Sequence, residues 1–285
     1  MAERTRPKGP HVGKPERQRY FRALTVAGSD SGGGAGIQAD LKTFSALGCY
    51  GMSVITALTA QNTVGVTAIH AVPPDFVEAQ MDAVLTDIGT DAVKIGMLFS
   101  ADLIEAVAHR LKAHAVENIV LDPVMVAQSG DKLLRDDAVE ALREILLPMA
   151  DLATPNLPEA EILVNRPLQS PKEIEAAARR MASGGCRAVL IKGGHGGDVR
   201  AYDWLYLAEE DRMERFGADR VATRNNHGTG CTLSAAIAAH LAHKSSLFDA
   251  VKGAKEYITE AIRAGAAYGL GNGSGPVHHF HRFWQ

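Results

Sequence analysis

From Ala23 onward the chain alternates between two rhythms. Short unbroken apolar runs give way to longer stretches with apolar residues three and four apart. The first is the pattern of buried strands, the second that of amphipathic helices. Ala23–Ala27 predicts a strand that ends in glycine. Residues 36–47 predict a helix with Ile37, Leu41, Phe44 and Leu47 on one face. Strands follow at 51–60 and 66–72, and then a helix over 74–87, opened by Pro74, a good first-turn residue. The rhythm continues with a strand at 92–95, a helix at 100–114 capped by Ser100, a strand at 118–122 and a helix at 136–146. A short strand at 151–154, helices near 158–164 and 171–183, and a strand at 188–192 come next. Partial alternation at 200–207 and 212–219 predicts an edge hairpin, and helices over about 230–242 and 247–268 close the chain.

Strands that alternate with helices imply a mostly parallel sheet covered on both faces. The expected fold is therefore α/β, a single domain over 22–285. In such sheets ligands sit at the carboxyl ends of the strands. The unusual residues cluster there: Gly28-Ser29-Asp30, Asp122-Pro123, Thr154-Pro155-Asn156 and Lys192-Gly193-Gly194.

Composition changes this picture only at its margins. A net charge of −3 gives no field that would gather nucleic acid. No apolar run approaches the ~20 residues of a membrane span. Three cysteines without C-x-x-C spacing fit a reducing, cytoplasmic setting better than a disulfide framework. Residues 1–21 are polar, basic and proline-rich, with no secretory apolar core. They read as a disordered extension rather than a binding arm.

Five segments carry candidate chemistry. Gly28–Gly36 holds five glycines within nine residues, so the backbone can come close to a ligand, although neither the P-loop nor the dinucleotide spacing is present. Asp40 on the following helix either favours the helix dipole or accepts hydrogen bonds from a ligand. Gln61, at a strand end, is either part of a polar turn or reads a heteroaromatic ring bearing an amino group beside a ring nitrogen. Asp122, Asn156 and Glu159 could orient the waters of a magnesium ion, or Glu159 could simply begin a helix. Lys192, running into Gly193-Gly194-His195-Gly196-Gly197, suits a polyphosphate or a plain hairpin loop. His227-Gly228-Thr229-Gly230-Cys231 is the strongest signal: glycines expose amides where a helix begins, which makes an anion hole. The same field can lower a thiol pKa to about 3.5–7.5, so Cys231 is a candidate base, or else a small packing residue.

Together these segments are identified with a family. The chain resembles the hydroxymethylpyrimidine/phosphomethylpyrimidine kinases of thiamine biosynthesis, within the ribokinase-like superfamily, over about 22–285. The resemblance rests on residues 27–48, 51–63, 94–98, 121–125, 154–160, 191–195, 227–236 and the tail 275–281. It implies a three-layer α/β/α sandwich, a homodimer, ATP with Mg2+, and a pyrimidine alcohol phosphorylated twice in one site. It places Gly28, Ala35, Asp40, Gln61, Met97 and Val124 around the pyrimidine. Asp122 and Glu159 fall on the metal side, Asn156, Lys192, Thr229 and Gly230 near the ATP phosphates, and Gly228 in the anion hole. Cys231 stands where most of the superfamily places an aspartate base. Asn226 departs from the usual Thr before His227. Pyridoxal kinase is the nearest enzymatic alternative, and a non-catalytic pyrimidine-binding protein the alternative of another class.

Overall fold

The computed structural model describes residues 18–125, 136–193 and 200–284. Strand β1 (Arg22–Ala27) leads through the glycine segment into helix α1 (Gly36–Ala46). Next come β2 (Tyr50–Ile55), β3 (Ala57–Gln61) and β4 (Val66–Ala71), then α2 (Pro74–Asp87), β5 (Ala92–Ile95) and α3 (Ala101–Ala113). Strand β6 (Ile119–Leu121) and helix α4 (Asp136–Ala141) precede β7 (Leu152–Ala153), α5 (Leu157–Val164) and α6 (Pro171–Ser183). The chain closes with β8 (Ala188–Lys192), the hairpin β9 (Arg200–Leu207) and β10 (Arg212–Asp219), and helices α7 (Thr229–Ala242) and α8 (Leu247–Gly265).

Eight strands form one sheet in the order β10-β9-β8-β7-β6-β5-β1-β2. All neighbouring pairs from β8 to β2 are parallel, and the antiparallel β9–β10 hairpin forms one edge, as the sequence predicts. The strands are apolar without alternation because both sheet faces are covered. Leu24 and Val26 of β1, Ile119 and Leu121 of β6, and Val189 and Ile191 of β8 enter a core shared with α2, α3, α5 and α6. Their sequence neighbours Ala23, Val120, Ala188 and Leu190 enter a second core with α7 and α8. This is the three-layer α/β/α sandwich.

The predicted strand over 51–60 is two strands in two sheets. It breaks at Thr56, whose amide donates to the Ala27 carbonyl and whose hydroxyl donates to that of Met97. Those bonds end the β2 ladder and turn the chain out of the main sheet. Strand β3 then pairs with β4 in a separate two-stranded sheet. That departure carries Gln61 across the carboxyl ends of the strands. The helix predicted at 136–146 also changes character: α4 widens into a π-helical turn over Leu142–Leu146, which keeps both Leu142 and Leu146 buried. Helix α8 stops at Gly265, where the returning tail passes so closely that a Cβ would lie 3.0 Å from the His278 amide nitrogen.

Candidate active site

The glycine segment after β1 is organised by one carboxylate. Asp30 is 2% exposed and accepts hydrogen bonds from the amides of Gly32 (2.8 Å), Gly34 (3.0 Å) and Ala35 (2.8 Å). His227 Nε2 lies 2.9 Å from its Oδ2. Burial alone would raise the Asp30 carboxyl, but His227 and the loop amides hold it below the usual range. The sequence marks Asp30 only as part of a strand-end segment. The geometry makes it the pin between the two glycine motifs.

Those motifs pack face to face. Gly228 is the N-cap of α7 with φ +77°, and a Cβ there would fall 1.8 Å from the Gly34 carbonyl oxygen. Only glycine permits that approach. Thr229 turns its amide (3.3 Å) and its hydroxyl (2.7 Å) back onto the Asn226 carbonyl. The orphan donors that this helix start offers a ligand are therefore the amides of Gly230 and Cys231 rather than that of Thr229. A Cβ on Gly230 would lie 3.3 Å from Lys192 Nζ, so the second glycine keeps the lysine beside the helix start.

Around these loops opens a cavity of about 840 Å³. Gly28, Ala35, Gln61, Met97 and Val124 line one half. Met97 packs with Ala57 and Val124, and a Cβ on Gly28 would collide with the Met97 methyl. The Gln61 amide sits between Thr59 and His227, with Oε1 3.1 Å from Thr59 Oγ1 and Nε2 3.5 Å from His227 Nε2. Asp40 lies behind this wall. It is fully buried, 2.9 Å from Lys94 Nζ, and accepts the Thr25 hydroxyl at 2.6 Å. It faces the cavity only through Lys94, which does line it. Burial penalises the Lys94 ammonium, yet Asp40, with Cys231 and Asp122 beyond it, holds its pKa above the ordinary lysine range.

In the other half, Lys192 Nζ donates to Asp122 Oδ1 at 2.7 Å. The hydroxyls of Thr154 and Ser234 each lie 3.1 Å from the same carboxylate. Asn156 and Glu159 form a reciprocal cap on α5: Asn156 Oδ1 accepts the Glu159 amide (2.9 Å) and Glu159 Oε2 accepts the Asn156 amide (2.8 Å). Burial pushes Glu159 up to about 7; Lys192 pulls it down and Asp122 pushes it up. Two carboxylates in one another's field, Glu159 raised chiefly by its burial, fit a divalent cation such as Mg2+. Among the described residues no cluster of three or more metal-ligating side chains occurs, so such an ion would need oxygens from substrate and water as well.

Cys231 departs from expectation. Burial drives its thiol up to about 11, and Asp40 and Asp122 add to the rise. The Lys94 ammonium and the Gly36 amide oppose it without overcoming it. The helix-start field is thus outweighed, and the sulfur carries its proton at neutral pH. Gly194–Gly197 of the fourth predicted segment lie outside the described residues.

Residues 30–278 match the family described as phosphomethylpyrimidine kinase. A hydroxymethylpyrimidine/phosphomethylpyrimidine kinase from Salmonella typhimurium is 53% identical over 93% of this chain and 99% of its own length. The chain belongs to the phosphomethylpyrimidine kinase family. Among solved structures, phosphomethylpyrimidine kinase from Clostridium difficile shares 43% identity, with a TM-score of 0.76 over 85% of this chain and 99% of that one. An ADP complex of Bacillus subtilis pyridoxal kinase shares 38% identity, with a TM-score of 0.85 over 93% of this chain and 100% of that one.

Within this family frame, the sequence reading missed the far wall of the cavity. Ala201 and Ala218 of the edge hairpin, Arg220 and Val221 after it, and Ile258 and Ile262 of α8 also line the cavity. No motif marks them, because none of these side chains stands in a recognisable spacing. Asp203, which accepts Lys255 Nζ (2.5 Å) and the Gly193 amide (3.0 Å), ties this wall to the Lys192 strand end. Lys94 was missed as well, since a lysine inside a strand run reads as a strand residue.

Proposed function

We infer that this kinase transfers the γ-phosphoryl group of ATP to 4-amino-5-hydroxymethyl-2-methylpyrimidine, and then a second one to the resulting monophosphate, for thiamine diphosphate biosynthesis. One observation carries the reading: an amide able to read an aminopyrimidine edge, Gln61, lies 3.5 Å from His227, the residue before the Gly228 N-cap of α7. The acceptor half takes the pyrimidine. The half lined by the hairpin and α8 has the flat apolar wall that suits the ATP base.

Transfer is in line: the hydroxymethyl oxygen bonds to the γ-phosphorus as the bond to the β-phosphate oxygen breaks, leaving ADP. Catalysis is mainly positioning and charge neutralisation, as is usual for phosphoryl transfer. The amides of Gly230 and Cys231 and the Lys192 ammonium hold the transferring group. Mg2+, when bound, neutralises phosphate charge, and Asp122 and Glu159 are the side chains that would hold it through its water shell. Cys231 accepts the hydroxyl proton in the fraction of molecules whose sulfur is ionised, a fraction that grows with pH. The second step differs, because a monophosphate with a second pKa near ~6 is already mostly ionised at pH 7 and needs no base.

A coupled ADP-release assay with the alcohol and with its monophosphate tests the reading, and absence of turnover with both would refute it. The likeness to pyridoxal kinase favours a second alcohol, pyridoxal, and the same assay ranks the two by kcat/KM. We also expect a cytoplasmic homodimer in which residues 22–285 fold as one domain. Leu58 and Ile69 of the small sheet and Phe76 of α2 are exposed and would serve such an interface. Light scattering on this 30.4 kDa chain reads the mass directly.

A further inference from the structure

We propose that Asp30 and His227 act as positioning residues for the acceptor: they fix which end of the Gln61 amide faces the start of α7, and thereby which way round the aminopyrimidine lies. The proposal rests on the aminopyrimidine reading above and adds to it two side chains and an orientation.

The argument is one of donors and acceptors. The carboxylate of Asp30 can only accept, and its Oδ2 lies 2.9 Å from His227 Nε2. Nε2 must therefore carry a hydrogen, whether the ring is neutral or charged. Gln61 has one amide end 3.5 Å from that same Nε2, and an N–H placed there would set donor against donor. At the other end, the Thr59 hydroxyl lies 2.7 Å from the Ser29 carbonyl and 3.1 Å from the Gln61 amide. Thr59 has a single hydroxyl hydrogen, and the shorter contact to an obligate acceptor takes it. What Thr59 turns toward Gln61 is then a lone pair, and an amide oxygen there would set acceptor against acceptor.

Both conflicts vanish together when the carboxamide is rotated by half a turn, an exchange of two ends that are nearly identical in shape. Nε2 then donates to Thr59 Oγ1, and Oε1 faces, at 3.5 Å, the same His227 Nε2–H that Asp30 accepts at 2.9 Å, so that one hydrogen is shared and no two donors oppose each other. One carboxylate, through one imidazole, sets the polarity of the amide. Asp30 itself is fixed by three loop amides, so it cannot turn away.

Polarity decides the substrate pose. On the pyrimidine, the exocyclic amine lies between a ring nitrogen and the carbon that bears the hydroxymethyl group. With Oε1 on the His227 side, the amine must lie on that side and the ring nitrogen on the Thr59 side. The hydroxymethyl group, one ring position beyond the amine, then points past His227 toward Gly228–Cys231, where the phosphoryl group arrives. The opposite polarity would point it away. A 4-oxo pyrimidine, whose carbonyl accepts and whose ring N–H donates, mismatches this edge at both positions.

Two measurements test this. Long-range proton–nitrogen correlation spectra of the wild-type protein, assigned with His227→Phe, should show His227 protonated at Nε2; a bare Nε2 would overturn the proposal without any variant having to work. Calorimetric binding of the amino alcohol and of its 4-oxo counterpart should favour the amino form by at least about 10²-fold in the wild type. In His227→Phe that ratio should shrink about tenfold, because the amide can turn, while affinity for a non-hydrolysable ATP analogue changes less than about threefold. His227→Gln, which restores a donor, should recover part of the ratio. An unchanged ratio in folded His227→Phe would overturn the proposal. Failure of the wild type to turn over the amino alcohol would instead refute the function and leave the tautomer result standing.

Discussion

Lys94–Asp40 and Lys192–Asp122 are the same ion pair in two surroundings. Both lysines sit on strands of the parallel sheet, and both carboxylates accept hydroxyls besides the ammonium. In the first pair both side chains are 0% exposed. In the second the lysine keeps 14% exposure and opens on the cavity. Lys94 lies in the cavity wall but has no exposed surface and holds both Asp40 oxygens, at 3.1 and 2.9 Å, so it acts as a fixed field beneath Cys231. An open pair can change partners, so Lys192 can swing from Asp122 to a phosphate oxygen. The difference lies wholly in what covers the ammonium.

Substituting each lysine by methionine would break the comparison most sharply. Lys94→Met leaves Asp40 charged, buried and unpaired, and should cost about 3–5 kcal/mol of stability by urea denaturation. Lys192→Met leaves Asp122 with two hydroxyls close by and should cost only about 1 kcal/mol. Its turnover should nevertheless fall about 10²–10³-fold, the scale of losing one donor to a developing oxyanion. Similar stability losses in the two variants would show that the open pair is structural as well.

Cys231 sharpens the comparison, since it lies in the fields of both pairs. Cys231→Ala should slow phosphorylation of the alcohol about 10²–10⁴-fold, the usual worth of a general base, and that of the monophosphate less than tenfold. Equal losses measured separately on the two acceptors would remove the base role. With a thiol pKa near 11, kcat/KM for the alcohol should climb as pH rises from 7 to 9, whereas that for the monophosphate should stay nearly level. Because Cys49 and Cys186 are buried, alkylation of the native protein reports Cys231 and reads its titration independently of turnover.

Much of this was legible in the sequence. Continuous apolar runs show strands covered on both faces, and Gly228 and Gly230 mark a helix start that the structure places at Thr229. What could not be read was burial and pairing. Nothing in the local sequence shows that Asp40 meets Lys94, 54 residues away, or that Asp30 meets His227 across 197. The same gap explains Cys231: the helix-start rule is local and lowers its pKa, whereas desolvation and two distant carboxylates raise it. The break at Thr56 was hidden for a related reason, since apolar spacing continues across a turn that only tertiary hydrogen bonds reveal.

The smallest expected effect concerns Glu159, whose charged neighbours are Lys192 and Asp122 of the open pair. Its carboxyl titrates at about 7 in the folded protein against an ordinary 4.5. Between those values the folded state keeps a proton that the unfolded state has lost. Stability should therefore fall as pH climbs from about 4.5 to about 7 and then level off. Glu159→Gln should flatten that fall, measured as urea midpoints across the range, because an amide does not titrate. Lys192→Met should instead carry it to higher pH, since the ammonium is what draws Glu159 down. Lys94→Met should move the window less than Lys192→Met does, for Lys94 acts on Asp122 and reaches Glu159 only through it. A shift as large with Lys94→Met as with Lys192→Met would mean that the two pairs act on Glu159 as one site, and the contrast between them would collapse.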